Sequence, residues 1–295
     1  MKKVLITGAG GFLGSNLIER CLQDSQMSII ALTSQADALS KKYEGNPRFH
    51  AFSLDERRHL DWESCDFLVN CAFPRDADGI EMAKGLAFIA DVLKMAVEGK
   101  VGAVINISSQ SVYSQTRAAS ATEKDLPDLE SKYAVGKYAS ELLTNAICHD
   151  TPHTNVRMAS LIGPGFDARL TNKMIDSALR DGRLTIKAGK QKFGFLDIED
   201  AVSGLIQIIN SPVEQWKNVY NLGGDGGYSL AQIAIVVAAV IKKELNREIG
   251  LEIVEDETQL NTTLECSLLR HDTGYRQQVA LEASVLRILQ EKQKC

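Results

Sequence analysis

Three things this sequence lacks set its first limits. No apolar stretch approaches the roughly 20 residues that a membrane-spanning helix needs; the longest helical candidate covers only residues 233–241. No two of the six cysteines (Cys21, Cys65, Cys71, Cys148, Cys266 and Cys295) stand in C-x-x-C spacing, and the five histidines show no metal-ligand spacing. The thiols therefore read as incidental residues of a reducing compartment, with no metal site and no disulfide framework. Lysine and arginine nowhere form a long run, and 33 basic against 38 acidic residues leave a net charge of -5. That balance argues against a nucleic-acid or anionic-membrane partner. Internal repeats and low-complexity linkers are also missing.

What remains is an ordinary globular composition, 44% hydrophobic and 24% charged over 295 residues, enough for one large α/β domain or a domain with a smaller second lobe. The start, Met1-Lys2-Lys3 before Val4-Leu5-Ile6, has the basic-then-apolar order of a secretory signal. Thr7-Gly8 cuts the apolar run short, so a first strand is the better reading and the cytoplasm the expected location.

Apolar strand-like runs at residues 3–7, 28–33, 66–71 and 103–108 alternate with helical patterns at 14–22 and 84–97. Strands apolar on both faces, separated by helices, predict a parallel sheet covered on both sides. The expected fold is a Rossmann-type doubly wound α/β sheet over residues 1–162. Beyond residue 163 the alternation fades, which predicts a smaller C-terminal substrate-binding lobe over 163–295, with some segments returning to the sheet.

The segment Thr7-Gly8-Ala9-Gly10-Gly11-Phe12-Leu13-Gly14 joins the first strand to the first helix. A strict G-x-G-x-x-G fails, but G-x-x-G-x-x-G fits at Gly8, Gly11 and Gly14. The demands are a tight turn, a backbone bare enough to approach a pyrophosphate, and close helix–sheet packing. Gly8, Gly11, Phe12, Leu13 and Gly14 are thus candidate dinucleotide contacts. The second strand ends in Thr33-Ser34-Gln35, without the carboxylate that would bond an adenosine ribose and repel a 2′-phosphate. No arginine follows, and only Lys41 and Lys42 lie downstream. The cofactor is read as NADP or NAD, with NADP preferred.

Ser108 and Ser109 end an apolar strand at the sheet edge where ligands of open α/β folds bind. Tyr133 and Lys137 follow at i, i+4 spacing, one helix face if Tyr133 opens a helix. A phenol with an ordinary pKa near 10 is a poor base at neutral pH, and a neighbouring cation favours its ionised form. Tyr133 would then exchange a proton with an alcohol or carbonyl oxygen that Ser109 holds. A Tyr-x-x-x-Lys pair alone recurs by chance on surface helices; its weight comes from following the glycine loop and the hydroxyl-ended strand in order.

Taken together, these residues resemble the extended short-chain dehydrogenase/reductases, and within them the NAD-dependent epimerase/dehydratase group acting largely on nucleotide sugars. Carrying the resemblance are TGAGGFLG at 7–14, ISSQSVY at 107–113, YAVGKYASE at 133–141, VRMASLIGPG at 156–165, FLDIEDAV at 195–202 and VYNLGG at 219–224. It implies catalytic roles for Ser109, Tyr133 and Lys137, with Lys137 also on the nicotinamide ribose. It places Ser53 and Leu54 beside the adenine and Cys71, Ala72 and Phe73 along the cofactor, and gives Glu199-Asp200 a structural capping role. Departures fall on the substrate side. Ser160 stands where an asparagine is usual, Ile162 replaces an aromatic, Phe193 replaces a diphosphate-binding arginine, and Gly85 lies near the place of a tetrad asparagine. Arg75, in the loop after the fourth strand, becomes a candidate anion contact.

The resemblance implies hydride and proton transfer at a secondary alcohol or carbonyl carbon of a nucleotide sugar, as epimerase or reductase. Dehydration is disfavoured, because Gln110-Ser111 follows Ser109 where dehydratases carry an acid–base pair. Two alternatives stay open: an NADPH-dependent carbonyl reductase of a non-nucleotide substrate, and a catalytically silent dinucleotide-binding regulator. Relatives dimerise through the helix that carries the Tyr-Lys pair, so Ala134, Tyr138, Leu142 and Leu143 mark the surface of an expected homodimer.

Overall fold

Residues 4–6 show why the chain begins with a strand buried on both faces. Val4 and Ile6 join one hydrophobic core with Leu17, Ile18 and Leu205, while Leu5 between them joins another with Val92 and Leu93. The period of two sends alternate side chains to opposite faces, and each face is covered by helices. The computed structural model describes residues 1–74 and 79–294.

In chain order the first half comprises β1 (Lys2–Thr7), α1 (Phe12–Gln23), β2 (Met27–Leu32), α2 (Ala36–Lys42), β3 (Phe49–Phe52), β4 (Phe67–Asn70), α3 (Gly79–Glu98), β5 (Ala103–Ser109), α4 (Lys132–Ile147) and β6 (His153–Met158). The second half adds β7 (Ser160–Ile162), α5 (Leu170–Asp181), β8 (Arg183–Lys192), β9 (Phe195–Asp197), α6 (Ile198–Asn210), β10 (Val219–Leu222), α7 (Leu230–Leu245), β11 (Gly250–Asn261), α8 (Ser267–Thr273) and α9 (Leu281–Lys292).

The central sheet runs β10-β6-β5-β4-β1-β2-β3, and every pair in it is parallel. Strand order reverses between β1 and β4, which opens a crevice beyond their carboxyl ends. The Rossmann-type doubly wound sheet expected from the alternation is the fold found. Helix α1 forms because Gly14, Leu17, Ile18 and Cys21 share one buried face, and it packs beside α6.

A separate core gathers Ile175 of α5, Leu184 of β8, Val237 of α7 and Ile288 of α9. There β8 pairs with β11, and β7 pairs with β9. Between these segments the chain returns to the large sheet through α6 and β10. The carboxylate at the head of α6 belongs to Asp197, which accepts the Glu199 N–H at 2.9 Å. Of the pair Glu199-Asp200, expected in a structural capping role, Asp200 accepts the Gln278 and Val279 N–H groups, each at 2.9 Å. No helix among the described residues is long and apolar enough to cross a membrane.

Candidate active site

The glycine loop is built by exclusion. Gly8 has φ +61°, and a Cβ there would stand 2.8 Å from the Ala72 nitrogen. A Cβ on Gly14 would stand 2.5 Å from the Gly8 carbonyl oxygen, so α1 can approach the turn only without a side chain. Gly11 donates its N–H to that same oxygen at 2.9 Å and heads α1 with no side-chain cap. The first-turn N–H groups, including those of Phe12 and Leu13, lack helical acceptors and face the crevice end of β1, a setting suited to a phosphate.

Gly10, outside the sequence spacing, faces side chains and not backbone: its Cβ would lie 2.9 Å from Gln35 Oε1 and 3.0 Å from Thr33 Oγ1. Thr33 is buried and accepts the Gln35 N–H at 3.1 Å. Lys42 is tied to Glu19 at 2.6 Å. Ser53 donates its N–H to the Glu56 carboxylate at 2.6 Å, and Leu54 packs against the core between β1 and α3.

Opposite the glycines, the Thr7 hydroxyl accepts the Ala72 N–H at 3.2 Å and donates to Asn70 at 2.7 Å. From Asn70 a buried ladder of amides crosses the sheet to Asn106 at 2.9 Å and then to Asn155 at 2.9 Å. Register explains it, because Thr7, Asn70, Asn106 and Asn155 lie side by side on four neighbouring strands. The ladder fixes the segment carrying Cys71, Ala72 and Phe73. Arg75 lies outside the described residues.

Ser109 ends β5, and Ser131 caps α4 by accepting the Ala134 N–H at 3.1 Å, so Tyr133 falls in the first helical turn. The Tyr133 ring meets Phe73 edge-on with centroids 5.4 Å apart. Burial pushes its phenol above the ordinary value, while a hydrogen bond with Ser109 and the charge of Arg169 pull the other way. Lys137, expected as the cation beside that phenol, is placed by three contacts. Its Nζ donates to the Ile107 carbonyl at 2.8 Å, lies 4.1 Å from the Phe73 ring centre, and stays 5.9 Å from the Tyr133 ring centre.

Lys137 is only 5% exposed, and burial pulls its pKa down to about 8 against the favourable influence of Cys71 and Glu141. Its unfolded value is near 10.4, so between these limits the unfolded chain binds more protons and stability rises with pH. Below pH 8 the cost of the buried charge is fully present, on the order of 3 kcal/mol. Lys137→Met is therefore expected to unfold at higher urea than the parent at pH 7, with the gap narrowing at pH 10. Paired urea melts at the two pH values check this, and a gap independent of pH contradicts it.

Behind the site, Glu141 and Arg157 form a buried ion pair at 2.7 Å, and Ser108 donates to Glu141 at 2.5 Å. The Arg157 guanidinium also lies 4.7 Å from the Tyr113 ring centre. Ser160 belongs to β7, in register with Phe195. Phe193 pairs its backbone with Tyr228 at 2.8 and 2.9 Å, and its ring stacks on Phe195 at 5.9 Å. At Gly85 a Cβ would stand 2.6 Å from the Pro74 Cδ, so the contact there requires a bare backbone.

Arg169 was missed in the sequence. It heads α5 with its guanidinium 4.5 Å from the Phe166 ring centre, and Phe166 stacks at 4.3 Å on Phe12 of the glycine loop. No motif signals it, because it arrives from the second lobe through that aromatic stack.

The family model for the NAD dependent epimerase/dehydratase family matches residues 4–223. UDP-glucuronic acid decarboxylase 6 of Arabidopsis thaliana is 26% identical over 279 residues, covering 87% of this chain and 79% of its own. Among solved structures, UDP-glucuronic acid 4-epimerase of Bacillus cereus in complex with NAD superimposes with TM-score 0.80 at 21% identity, covering 99% of both chains. UDP-N-acetylglucosamine 4-epimerase of Bacillus cereus gives TM-score 0.82 at 19% identity, covering 100% of this chain and 98% of the other.

Proposed function

Because the chain belongs to the NAD dependent epimerase/dehydratase family, we propose that it is a nucleotide-sugar epimerase or reductase working through Ser109, Tyr133 and Lys137. The observation that carries this reading is that Tyr133 and the Lys137 ammonium both stand against the Phe73 ring, with Lys137 held to the carbonyl of Ile107 on the strand that Ser109 ends, in a chain that opens on a bare glycine turn. When bound, a nicotinamide dinucleotide exchanges hydride at the substrate carbon. Ser109 holds the reacting oxygen, Tyr133 passes its proton, and Lys137 anchors the ribose edge from its place under Phe73. Gln110 and Ser111 follow Ser109, and neither titrates as an acid–base pair requires, which favours epimerisation or reduction over dehydration.

The cofactor suits the chain because the N–H groups at the head of α1 have no competing cap. We assign NADP ahead of NAD on the absence of a carboxylate beside Gly10, where Thr33 and Gln35 stand; the solved relatives hold NAD. A nucleotide sugar is supported by relatives solved with UDP-glucuronic acid and UDP-glucose. In this chain Arg169, against the Phe166 ring, offers a cation toward Tyr133, while Phe193 replaces the arginine of the family pattern. We further divide the molecule into a dinucleotide-binding lobe of residues 1–162, joined by 198–222, and a substrate lobe made of the rest.

A homodimer through α3 and α4 is supported by an open, wholly apolar groove that includes Leu86, Ala90, Ala139, Leu142 and Ala146. Leu142 is 52% exposed there. The five cysteines among the described residues are free, which agrees with work in the cytoplasm.

The purified protein is expected to carry tightly held dinucleotide and to interconvert UDP-glucose, UDP-glucuronic acid or UDP-N-acetylglucosamine with its 4-epimer. Product analysis by chromatography, with titration of NAD and NADP, tests both halves. No change in any nucleotide sugar, together with NADPH-dependent turnover of a small carbonyl compound, would replace this reading with a carbonyl reductase.

A further inference from the structure

Lys137 carries an ammonium into a nearly closed place, 5% exposed, and a buried charge is costly unless something answers it. An ammonium has three protons to donate, and the side-chain hydrogen bond of Lys137 goes to the Ile107 carbonyl at 2.8 Å. Two groups favour the charge from nearby, Cys71 and Glu141. Neither pairs with it. Burial pushes the Cys71 thiol up to about 12, so it is uncharged near neutrality, and Glu141 is held by Arg157 at 2.7 Å and by Ser108 at 2.5 Å. What stands against Nζ is the Phe73 ring, its centre 4.1 Å away; the Tyr133 ring centre is 5.9 Å off. The face of an aromatic ring attracts a cation, most strongly where water is excluded. We propose that Phe73 is a positioning residue whose ring face takes the place of a counter-ion and holds the Lys137 ammonium, charged, at the site. The inference rests on the role given above to Lys137.

The ring is seated by its neighbours on three sides. Before it, the Ala72 N–H is held to the Thr7 hydroxyl at 3.2 Å. After it, Pro74 lies so close to α3 that a Cβ on Gly85 would stand 2.6 Å from its Cδ. From α4, a Cβ on Gly136 would stand 3.0 Å from the Phe73 Cζ. Tyr133, Gly136 and Lys137 fall at i, i+3 and i+4, so one face of α4 brings a phenol, bare backbone and an ammonium to the same ring. Gly85, near the place of the tetrad asparagine, thus serves to seat the segment that carries Phe73. A carboxylate in the ring's place would take the ammonium's protons in a charged hydrogen bond. A ring face attracts the charge without supplying a carboxylate acceptor.

The test reads Lys137 directly and needs no substrate. The full chain is labelled with carbon-13 at the lysine Cε, the signal that Lys137→Met removes is assigned to Lys137, and its shift is followed against pH by NMR. Phe73→Leu is expected to lower the Lys137 midpoint by about one unit. A difluorinated phenylalanine in place of Phe73 keeps the size of the ring and withdraws electron density from its face; it is expected to lower the midpoint by about half a unit. Circular dichroism checks that both chains are folded, and if the leucine variant is not, the difluorinated chain decides alone. A midpoint equal to the parent's in Phe73→Leu overturns the inference. So does a fall in Phe73→Leu with no change in the difluorinated chain, which would leave the ring as packing only. A dinucleotide titration reads the role of Lys137 separately: affinity should weaken as pH rises through the midpoint, and at lower pH in Phe73→Leu. Affinity indifferent to that midpoint would strike the assigned role of Lys137 and not its contact with the ring, so the two failures are distinct.

Discussion

Tyr133→Phe is expected to lower turnover by about a hundred- to ten-thousandfold while changing dinucleotide affinity by no more than about twofold. Phenylalanine retains the edge-on contact with Phe73 and removes only the hydroxyl. Lys137 keeps its bond to the Ile107 carbonyl, and the glycine turn is untouched. The loss should appear in kcat, since the phenol acts on a proton in flight and contributes little to holding the ground state. Steady-state kinetics with the UDP-sugars and a dinucleotide titration measure the two quantities. Turnover equal to the parent's would remove Tyr133 from proton transfer. Dinucleotide binding without turnover in the parent itself would favour the regulator reading.

The parts of this molecule that announce themselves in the sequence are those whose physics is local. A glycine turn between an apolar strand and a helix, and Tyr133 with Lys137 one turn apart, need only spacing to be recognised. The alternation of apolar runs gave away the sheet because parallel strands are buried on both faces. Strand β3 was not singled out: at the sheet edge its His50 is exposed and only Phe49 is fully buried. Gly10 was passed over because its neighbours are the side chains of Thr33 and Gln35, in the segment between β2 and α2.

The same reasoning applies to the charges around the site. Lys137 looked like the cation tuning Tyr133, since i, i+4 spacing puts both on one face. Which carbonyl the ammonium meets is decided by β5, which offers Ile107. Arg169 influences the phenol from across the cleft, over a distance in sequence that no helix pattern spans. The asparagine ladder was hidden for a related reason: a polar residue near a strand end looks incidental until register lines up Thr7, Asn70, Asn106 and Asn155.

Glu141→Ala is expected to cost about 3–5 kcal/mol of stability, a large share of what a single domain holds. Glu141 is 2% exposed and Arg157 4% exposed, so the alanine leaves a guanidinium buried without its counter-charge. Burial alone would pull the Arg157 pKa down; the hydrogen bonds and charge of Glu141, with Tyr113, reverse this and hold it above its ordinary value. Without Glu141 burial is left to pull that pKa down, but a guanidinium is too basic to lose its proton near neutrality, so the stranded arginine stays charged. The double variant Glu141→Leu, Arg157→Leu removes both charges and should lose less than Glu141→Ala, since the desolvation of the pair largely offsets its attraction. Urea melts read both effects as shifts in midpoint at constant slope. A double variant less stable than Glu141→Ala would mean that the pair contributes net stability of its own. Because Glu141 also accepts the Ser108 hydroxyl at 2.5 Å, one residue before Ser109, both variants should slow turnover even when folded. The pair ties α4, β5 and β6 together directly beneath the hydroxyls, so the stability of the fold and the aim of the site depend on the same carboxylate.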